Sequence, residues 1–175
     1  TISILSQAAA VGMAAEGPWS VASPDGQTTV SLARGAPVGE ADCPLDRAGL
    51  YYRVERGRGE AKTVVLPWSP LGIERSDQKF VDGLRLAEVG PLQTIDETYR
   101  ALHGKRSVRR SWSKQQSFVF QNPTGAKLQV TFRVANDGVA FRYEFPEQDD
   151  TRRTVVSEAT GFRLPEGALA WIQPY

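Results

Sequence analysis

The feature that most constrains the fold is a two-residue alternation of apolar and polar side chains between residues 127 and 145. This alternation is typical of β-strands with one buried face, and no helical period fits it as well. Asn136, Asp137 and Gly138 interrupt it and predict a three-residue hairpin loop with the glycine in the left-handed conformation. The segment therefore predicts a β-hairpin whose apolar face carries Leu128, Val130, Phe132, Val134, Val139, Phe141, Tyr143 and Phe145.

Turn signals divide the rest of the chain into short segments with strand character. Ser23-Pro24-Asp25-Gly26 and Gly57-Arg58-Gly59 each predict a turn between two strands. Two prolines in residues 67–72 remove hydrogen-bond donors, so this segment predicts an ordered loop or an edge crossing. Further strands are predicted at residues 19–22, 28–33, 50–54, 62–66, 84–89, 117–121, 153–157 and 162–164. The pattern predicts an all-β fold, an antiparallel β-sandwich.

The composition excludes several classes of function. The chain has 175 residues, enough for one domain. Lys and Arg number 21 and Asp and Glu 20, which gives a net charge of +1. This balance argues against binding to nucleic acid or to a membrane through the overall charge of the protein. The single Cys43 excludes a disulfide framework, and its acidic surroundings predict an unreactive thiol. The single His103 lies in a basic stretch, where a solvated loop histidine is favoured over a catalytic one.

Both ends of the sequence carry information about the parent protein. Residues 2–15 are uncharged and apolar or small, which is typical of the core and cleavage region of a secretory signal. We therefore expect residues 1–15 to be a signal remnant or a flexible N-terminus of an exported, periplasmic protein; a short buried helix is the alternative. The β-sandwich domain is predicted at 18–175. Its aromatic-rich end at residues 171–175 predicts that the domain is incomplete there.

The charged groups do not assemble into a recognisable catalytic set. Glycoside hydrolysis uses two carboxylates, but the local acid groupings, Asp96-Glu97, Glu147 and Asp149-Asp150, form no identifiable pair. A basic stretch at residues 100–114 contains Trp112 and allows a nucleic-acid interpretation. A solvated face, or contact with an acidic neighbouring domain, is favoured because strand geometry would divide these side chains between two faces.

Aromatic residues are the best candidates for contact with a sugar, since a flat ring matches the C–H face of a pyranose. Most aromatic residues of a sandwich belong to its core. Trp171 and Tyr175, which lie near Pro174, are the candidate substrate-binding residues. The other aromatic residues considered as platforms are Trp68, Trp112, Tyr51 and Tyr52.

An ordered set of motifs resembles the N-terminal domain of glycoside hydrolase family 97, the α-glucosidase and α-galactosidase family. The most specific is the hairpin from Phe132 to Pro146, and the resemblance runs from about Trp19 to Tyr175. The others, in order, are Ser23-Pro24-Asp25-Gly26, Leu50-Tyr51-Tyr52-Arg53-Val54, Ser69-Pro70-Leu71-Gly72, Gly104-Lys105-Arg106, Glu158-Ala159-Thr160-Gly161-Phe162 and Ala170-Trp171-Ile172-Gln173-Pro174.

The resemblance implies a β-super-sandwich that packs on a catalytic (β/α)8 barrel. It places the catalytic glutamates on that barrel, implies calcium as a cofactor of the full-length parent, and puts the calcium-binding glutamate of this domain beyond Tyr175. No catalytic or metal-ligating residue is therefore predicted in this segment.

The predicted function is that of the non-catalytic N-terminal domain of an exported α-glycoside hydrolase, helping to shape the pocket for an α-linked oligosaccharide. The alternative is a stand-alone carbohydrate-binding or interaction module. Nucleic-acid binding ranks last, and no membrane span is expected.

Overall fold

Four antiparallel strands form the first sheet. A computed structural model of the protein describes residues 16–35, 49–102, 105, 107–169 and 171. Within them the sheet contains, in spatial order, β1 (Glu16–Ala22), β2 (Thr28–Arg34), β3 (Leu50–Arg56) and β4 (Thr63–Leu71). The predicted turn joins β1 to β2, with the Gly26 N–H donating to the Ser23 carbonyl at 2.9 Å. A φ of 68° at Gly26 explains why glycine occupies this position.

A second sheet is built around one long strand. Two short strands, β5 (Ile73–Arg75) and β6 (Lys79–Phe80), connect the first sheet to it. The second sheet has the order β11-β10-β9-β7, and β8 also pairs with β9, on the side opposite β10. Its strands are β7 (Arg85–Val89), β8 (Gln93–Arg100), β9 (Val108–Gln121), β10 (Lys127–Ala135) and β11 (Gly138–Glu144). Finally, β12 (Val155–Glu158) pairs with β5 and completes a small third sheet.

The apolar faces of the two large sheets pack against each other and form the core. Trp19 of β1 contacts Phe120 of β9, with 6.0 Å between ring centroids, and Tyr52 of β3 contacts Phe132 of β10 at 6.2 Å. Alternating residues of the strands are fully buried here, among them Val30, Leu32, Leu50, Phe118, Leu128, Val130 and Val134. The predicted all-β antiparallel sandwich is therefore confirmed.

The predicted hairpin is present as β10 and β11, but its loop is shorter than predicted. Ala135 pairs with Gly138, so the loop contains two residues, Asn136 and Asp137. None of the residues 136–138 has a positive φ. The prediction of a three-residue loop with a left-handed glycine is wrong because Gly138 is used as the first residue of β11.

Two further expectations are corrected by the strand boundaries. The loop alternative for residues 67–71 is wrong, because they continue β4. The exclusion of a central strand is confirmed, since β4 is an edge strand, where Pro67 and Pro70 are tolerated. Residues 162–164 form no strand. The expected signal remnant at 1–15, Cys43 and His103 lie outside the described residues.

Candidate functional site

The segment at residues 155–163, here called the closing segment, joins the small third sheet to the edge of the first sheet. After β12, the Ala159 N–H donates to the Gly72 carbonyl at 2.9 Å and the Gly161 N–H donates to the Pro70 carbonyl at 3.0 Å. A Cβ atom at Gly161 would lie 3.1 Å from Pro70 Cγ, which explains the glycine at this close approach. The closing segment therefore covers the C-terminal end of β4.

Two tyrosine hydroxyls from different sheets fix the closing segment. Tyr52 on β3 donates to the Gly161 carbonyl at 3.1 Å. The Tyr143 hydroxyl on β11 lies 2.7 Å from Thr160 Oγ1 and accepts a hydrogen bond from the Gly72 N–H at 3.0 Å. Burial raises the pKa of Tyr143 to about 12, and burial also raises the pKa of Tyr52, with the neighbouring Tyr143 adding to the effect. Both hydroxyls consequently stay protonated near neutral pH.

Large apolar side chains stand exposed along the chain from the end of the closing segment onward. Phe162 is 66% exposed, Leu164 51%, Leu169 80% and Trp171 86%. Large exposed apolar residues in series are uncommon on an isolated monomer and mark interaction or ligand surfaces. The candidate Trp171 is thus accessible to a partner or sugar, whereas the candidate Tyr175 lies outside the described residues.

A groove opens between the edge strands of the two large sheets, next to the closing segment. It has a volume of about 340 Å³ and is lined chiefly by Val54, Val65, Leu66, Val139, Phe141 and Phe162. At one end Arg56 Nη1 on β3 donates to the Asn136 carbonyl at 2.9 Å and ties the sheets together. At the other end the Tyr52 hydroxyl holds Gly161. We call this cavity the edge groove.

Each of the acid groupings singled out in the sequence contains a carboxylate that is paired with an arginine. Asp96 receives two hydrogen bonds of 2.6 Å from Arg110, which hold the pKa of this carboxyl below its usual value. Asp149 receives two bonds of 2.6 Å from Arg153, and these keep the pKa of Asp149 far below its usual range. A carboxyl group with a lowered pKa is a poor general acid at neutral pH. These two carboxylates are therefore ionised partners of arginines and unsuited to donate a proton at neutral pH.

A buried arginine organises the segment that leads into the closing segment. Arg75 on β5 donates from Nε and Nη2 to the Asp77 carboxylate at 2.9 and 2.8 Å, and its Nη1 lies 2.9 Å from Glu147 Oε1. Its guanidinium carbon also lies 4.6 Å from the Phe145 ring centroid and 5.5 Å from that of Phe80. The side chain of Arg75 is only 2% exposed. Glu147 thus serves to anchor the chain after β11.

The remaining aromatic candidates divide between core and surface. Tyr51, Tyr52 and Trp68 are buried, Tyr51 and Trp68 with Ala33 in a small cluster of their own. Trp112 on β9 is 46% exposed and lines a polar recess with Arg109 and Asn136. The closing segment was not predicted as a structural feature, although its Glu158–Phe162 motif contains the small residues that permit the close approach.

The described part of the chain offers no evident place for a metal ion. Among its residues no three or more His, Cys, Asp or Glu side chains are grouped in a way that would hold one. The glutamate that the family resemblance implies for a calcium site is expected beyond Tyr175, outside the described residues. The described residues also include no helix of the length and apolarity needed to span a membrane.

Comparison with known proteins gives a consistent assignment. Residues 21–175 match the family described as Glycosyl-hydrolase 97 N-terminal. A probable retaining alpha-galactosidase of Streptomyces bingchenggensis (strain BCW-1) is 32% identical over 162 residues, which are 93% of this chain and 23% of the relative.

Solved structures share the fold. A beta-arabinopyranosidase has 29% identity and a TM-score of 0.69, over 85% of this chain and 21% of that one. A Glycoside Hydrolase Family 97 enzyme of Pseudoalteromonas sp. strain K8, in complex with panose, has 21% identity and a TM-score of 0.66, over 85% and 20%. The chain thus spans less than a quarter of the length of these relatives. It belongs to the family of glycosyl-hydrolase 97 N-terminal domains.

Proposed function

We propose that this chain is the non-catalytic N-terminal domain of an exported α-glycoside hydrolase, and that it packs on a (β/α)8 catalytic barrel encoded in the same polypeptide. The observation that carries the proposal is the family match over residues 21–175 in a chain that spans 23% of its Streptomyces relative. Catalysis is assigned to the remaining part because this chain matches only the N-terminal domain of the family and covers no more than 23% of that relative.

The exposed apolar residues at 162–171 are proposed as the surface that faces the barrel. In this arrangement Phe162, Leu164 and Leu169 pack against the catalytic part, and Trp171 and Tyr175 lie near the mouth of its pocket. The exposure of Trp171 at 86% supports this role, since an exposed indole can stack on a sugar ring or on a partner. The two tyrosine hydroxyls at Gly161 and Thr160 fix the start of this surface.

Calcium belongs to the proposal only as a cofactor of the full-length protein, with its glutamate from this domain beyond Tyr175. Export, and a periplasmic location, rest on the signal-like residues 2–15. The substrate class proposed for the parent is an α-linked glucoside or galactoside.

The test uses the full-length protein and aryl α-galactoside and α-glucoside substrates. We expect Trp171→Ala to lower kcat/KM by about tenfold, a loss of about 1.4 kcal/mol of transition-state stabilisation. Trp171→Phe, which keeps a ring, should retain most of the activity, and Leu102→Ala, at a side chain 92% exposed in the β8–β9 connection, should have no effect. Equal kcat/KM in Trp171→Ala and the unmodified protein would contradict the proposed position of Trp171 near the mouth of the pocket.

The same exposed Trp171 also favours a second candidate, a stand-alone carbohydrate-binding module. This candidate predicts saturable binding of an oligosaccharide such as panose to the 175-residue chain by titration calorimetry, abolished by Trp171→Ala. The scaffold-domain proposal predicts no saturable binding by the chain alone.

A further inference from the structure

The free edge of β11 borders the edge groove and has no strand beside it among the described residues. In the sheet order, β11 is an end strand that pairs only with β10. Because Ala135 and Gly138 flank the two-residue turn as a hydrogen-bonded pair, the backbone N–H groups of Val139 and Phe141 point away from β10. An unpaired edge of this kind is a template for another strand.

The side chains next to this edge are apolar and only partly covered. Val139 and Phe141 face the groove from β11, and Val65, which is 48% exposed, faces it from β4. The closing segment already covers the neighbouring part of the same opening, through its hydrogen bonds to Pro70 and Gly72. The opening between the edge strands β4 and β11 is thus covered by the closing segment at one end, and the edge groove is the part that stays uncovered.

We propose that a short extended segment of the polypeptide that follows residue 175 adds to the edge of β11 and fills the edge groove with apolar side chains. This inference rests on the proposed function, in which the chain is one part of a longer protein. The occupant is inferred from length and position: the relatives are more than four times longer, and the exposed Leu164 to Trp171 run continues directly from the closing segment. Hydrogen bonds to the backbone of Val139 and Phe141 would fix the register of the added strand. The groove would favour a strand that carries large apolar side chains.

The first test is hydrogen exchange in the full-length protein, read at the amides of Val139 and Phe141. The added strand predicts exchange at least about 100-fold slower than the rate of an unstructured peptide. Faster exchange than this at both amides would overturn the proposal.

The second test identifies the occupant. We would place p-benzoyl-phenylalanine at position 65 of the full-length protein (Val65→p-benzoyl-phenylalanine), irradiate it and map the cross-link by mass spectrometry. The expected product joins position 65 to a peptide from beyond residue 175. A cross-link to a second copy, a cross-link within residues 1–175, or no cross-link at all would overturn the proposal.

Two substitutions distinguish the presence of a strand in the edge groove from a general effect of a surface lysine on stability. Val65→Lys should lower the Tm of the full-length protein, because the added strand would bury the new charge. Val89→Lys, at a residue of β7 that is 43% exposed and outside the groove, should leave the Tm unchanged. Equal effects of the two substitutions would contradict occupancy. These readouts do not depend on turnover, so the strand can be present in a protein that hydrolyses no glycoside, and the two proposals can fail separately.

Discussion

The hydroxyl of Tyr143 links three parts of the chain, and its removal is the most informative single change. In Tyr143→Phe the ring stays, but Thr160 Oγ1 loses its partner at 2.7 Å and the buried Gly72 N–H loses its acceptor at 3.0 Å. A net hydrogen bond contributes about 1 kcal/mol, and a buried donor left unsatisfied costs about 1–3 kcal/mol. Because Thr160 is partly exposed and can bond to water, we expect a total loss of about 2 kcal/mol.

Urea denaturation of the chain measures this loss directly. The midpoint should fall with the m-value unchanged, and the Tm should fall by about 4–8 °C, given about 2–4 °C per kcal/mol in a domain of this size. Tyr99→Phe is the matched control, because Tyr99 is 52% exposed and none of the hydrogen bonds described above involves it. A free energy of unfolding that is the same in Tyr143→Phe and Tyr99→Phe would refute the assigned role of the hydroxyl.

The same tyrosine makes a prediction about alkaline pH. Burial raises the pKa of Tyr143 to about 12 in the folded chain, whereas a tyrosine in the unfolded chain has a pKa of about 10. A raised folded pKa means that its stabilising contribution is complete below pH 10 and is lost as the pH rises from about 10 to 12. Over this pH range the free energy of unfolding of the unmodified chain should therefore fall more steeply with pH than that of Tyr143→Phe. The difference in slope should correspond to about one proton per molecule.

Three further predictions concern the ion pairs and the metal. Arg75→Met should cost about 2 kcal/mol in urea denaturation, because the charge-assisted contacts to Asp77 and Glu147 are lost while these carboxylates stay partly solvated. Lys79→Met, at a side chain 74% exposed, should change stability by less than about 0.5 kcal/mol, and equal losses would contradict the role of Arg75. Asp149 is stabilised in its ionised form, so its contribution is present above about pH 4 and is lost as the pH falls towards the lowered pKa; Asp149→Asn should lose less stability between pH 7 and pH 3 than the unmodified chain, and an equal loss would contradict the ion pair. Removal of calcium with EDTA should lower turnover by the full-length protein and leave the Tm of the 175-residue chain unchanged, so a drop in that Tm would place a structural metal in this segment.

The sequence predicted the features that depend on local alternation. The β10–β11 hairpin could be predicted because Leu128, Val130, Phe132 and Val134 all face one core, and burial follows the two-residue period. The length of β9 could not, because residues 108–112 lie beyond the end of β10 and most of their side chains are exposed on both faces of the β8–β9 ribbon. For residues 67–71 the prolines excluded a central strand, but the choice between a loop and an edge strand depends on the position of β4, which only the assembled sheet decides.

The candidate site depended on contacts between residues far apart in sequence. Trp171 was predicted as a substrate-binding residue; it is 86% exposed, and its contact with a sugar stays a prediction. The anchoring of the closing segment by Tyr52 and Tyr143 was not predicted, because each hydroxyl bonds to backbone or side-chain groups of a distant segment. No local pattern marks a tyrosine for such a role.

The central claim, that this domain supports hydrolysis performed elsewhere in the polypeptide, is tested most directly by comparing turnover of aryl α-galactoside and α-glucoside by two proteins at equal concentration. The account predicts hydrolysis by the full-length protein and none above background by the 175-residue chain. Turnover by the 175-residue chain, or none by the full-length protein on either substrate, would contradict it.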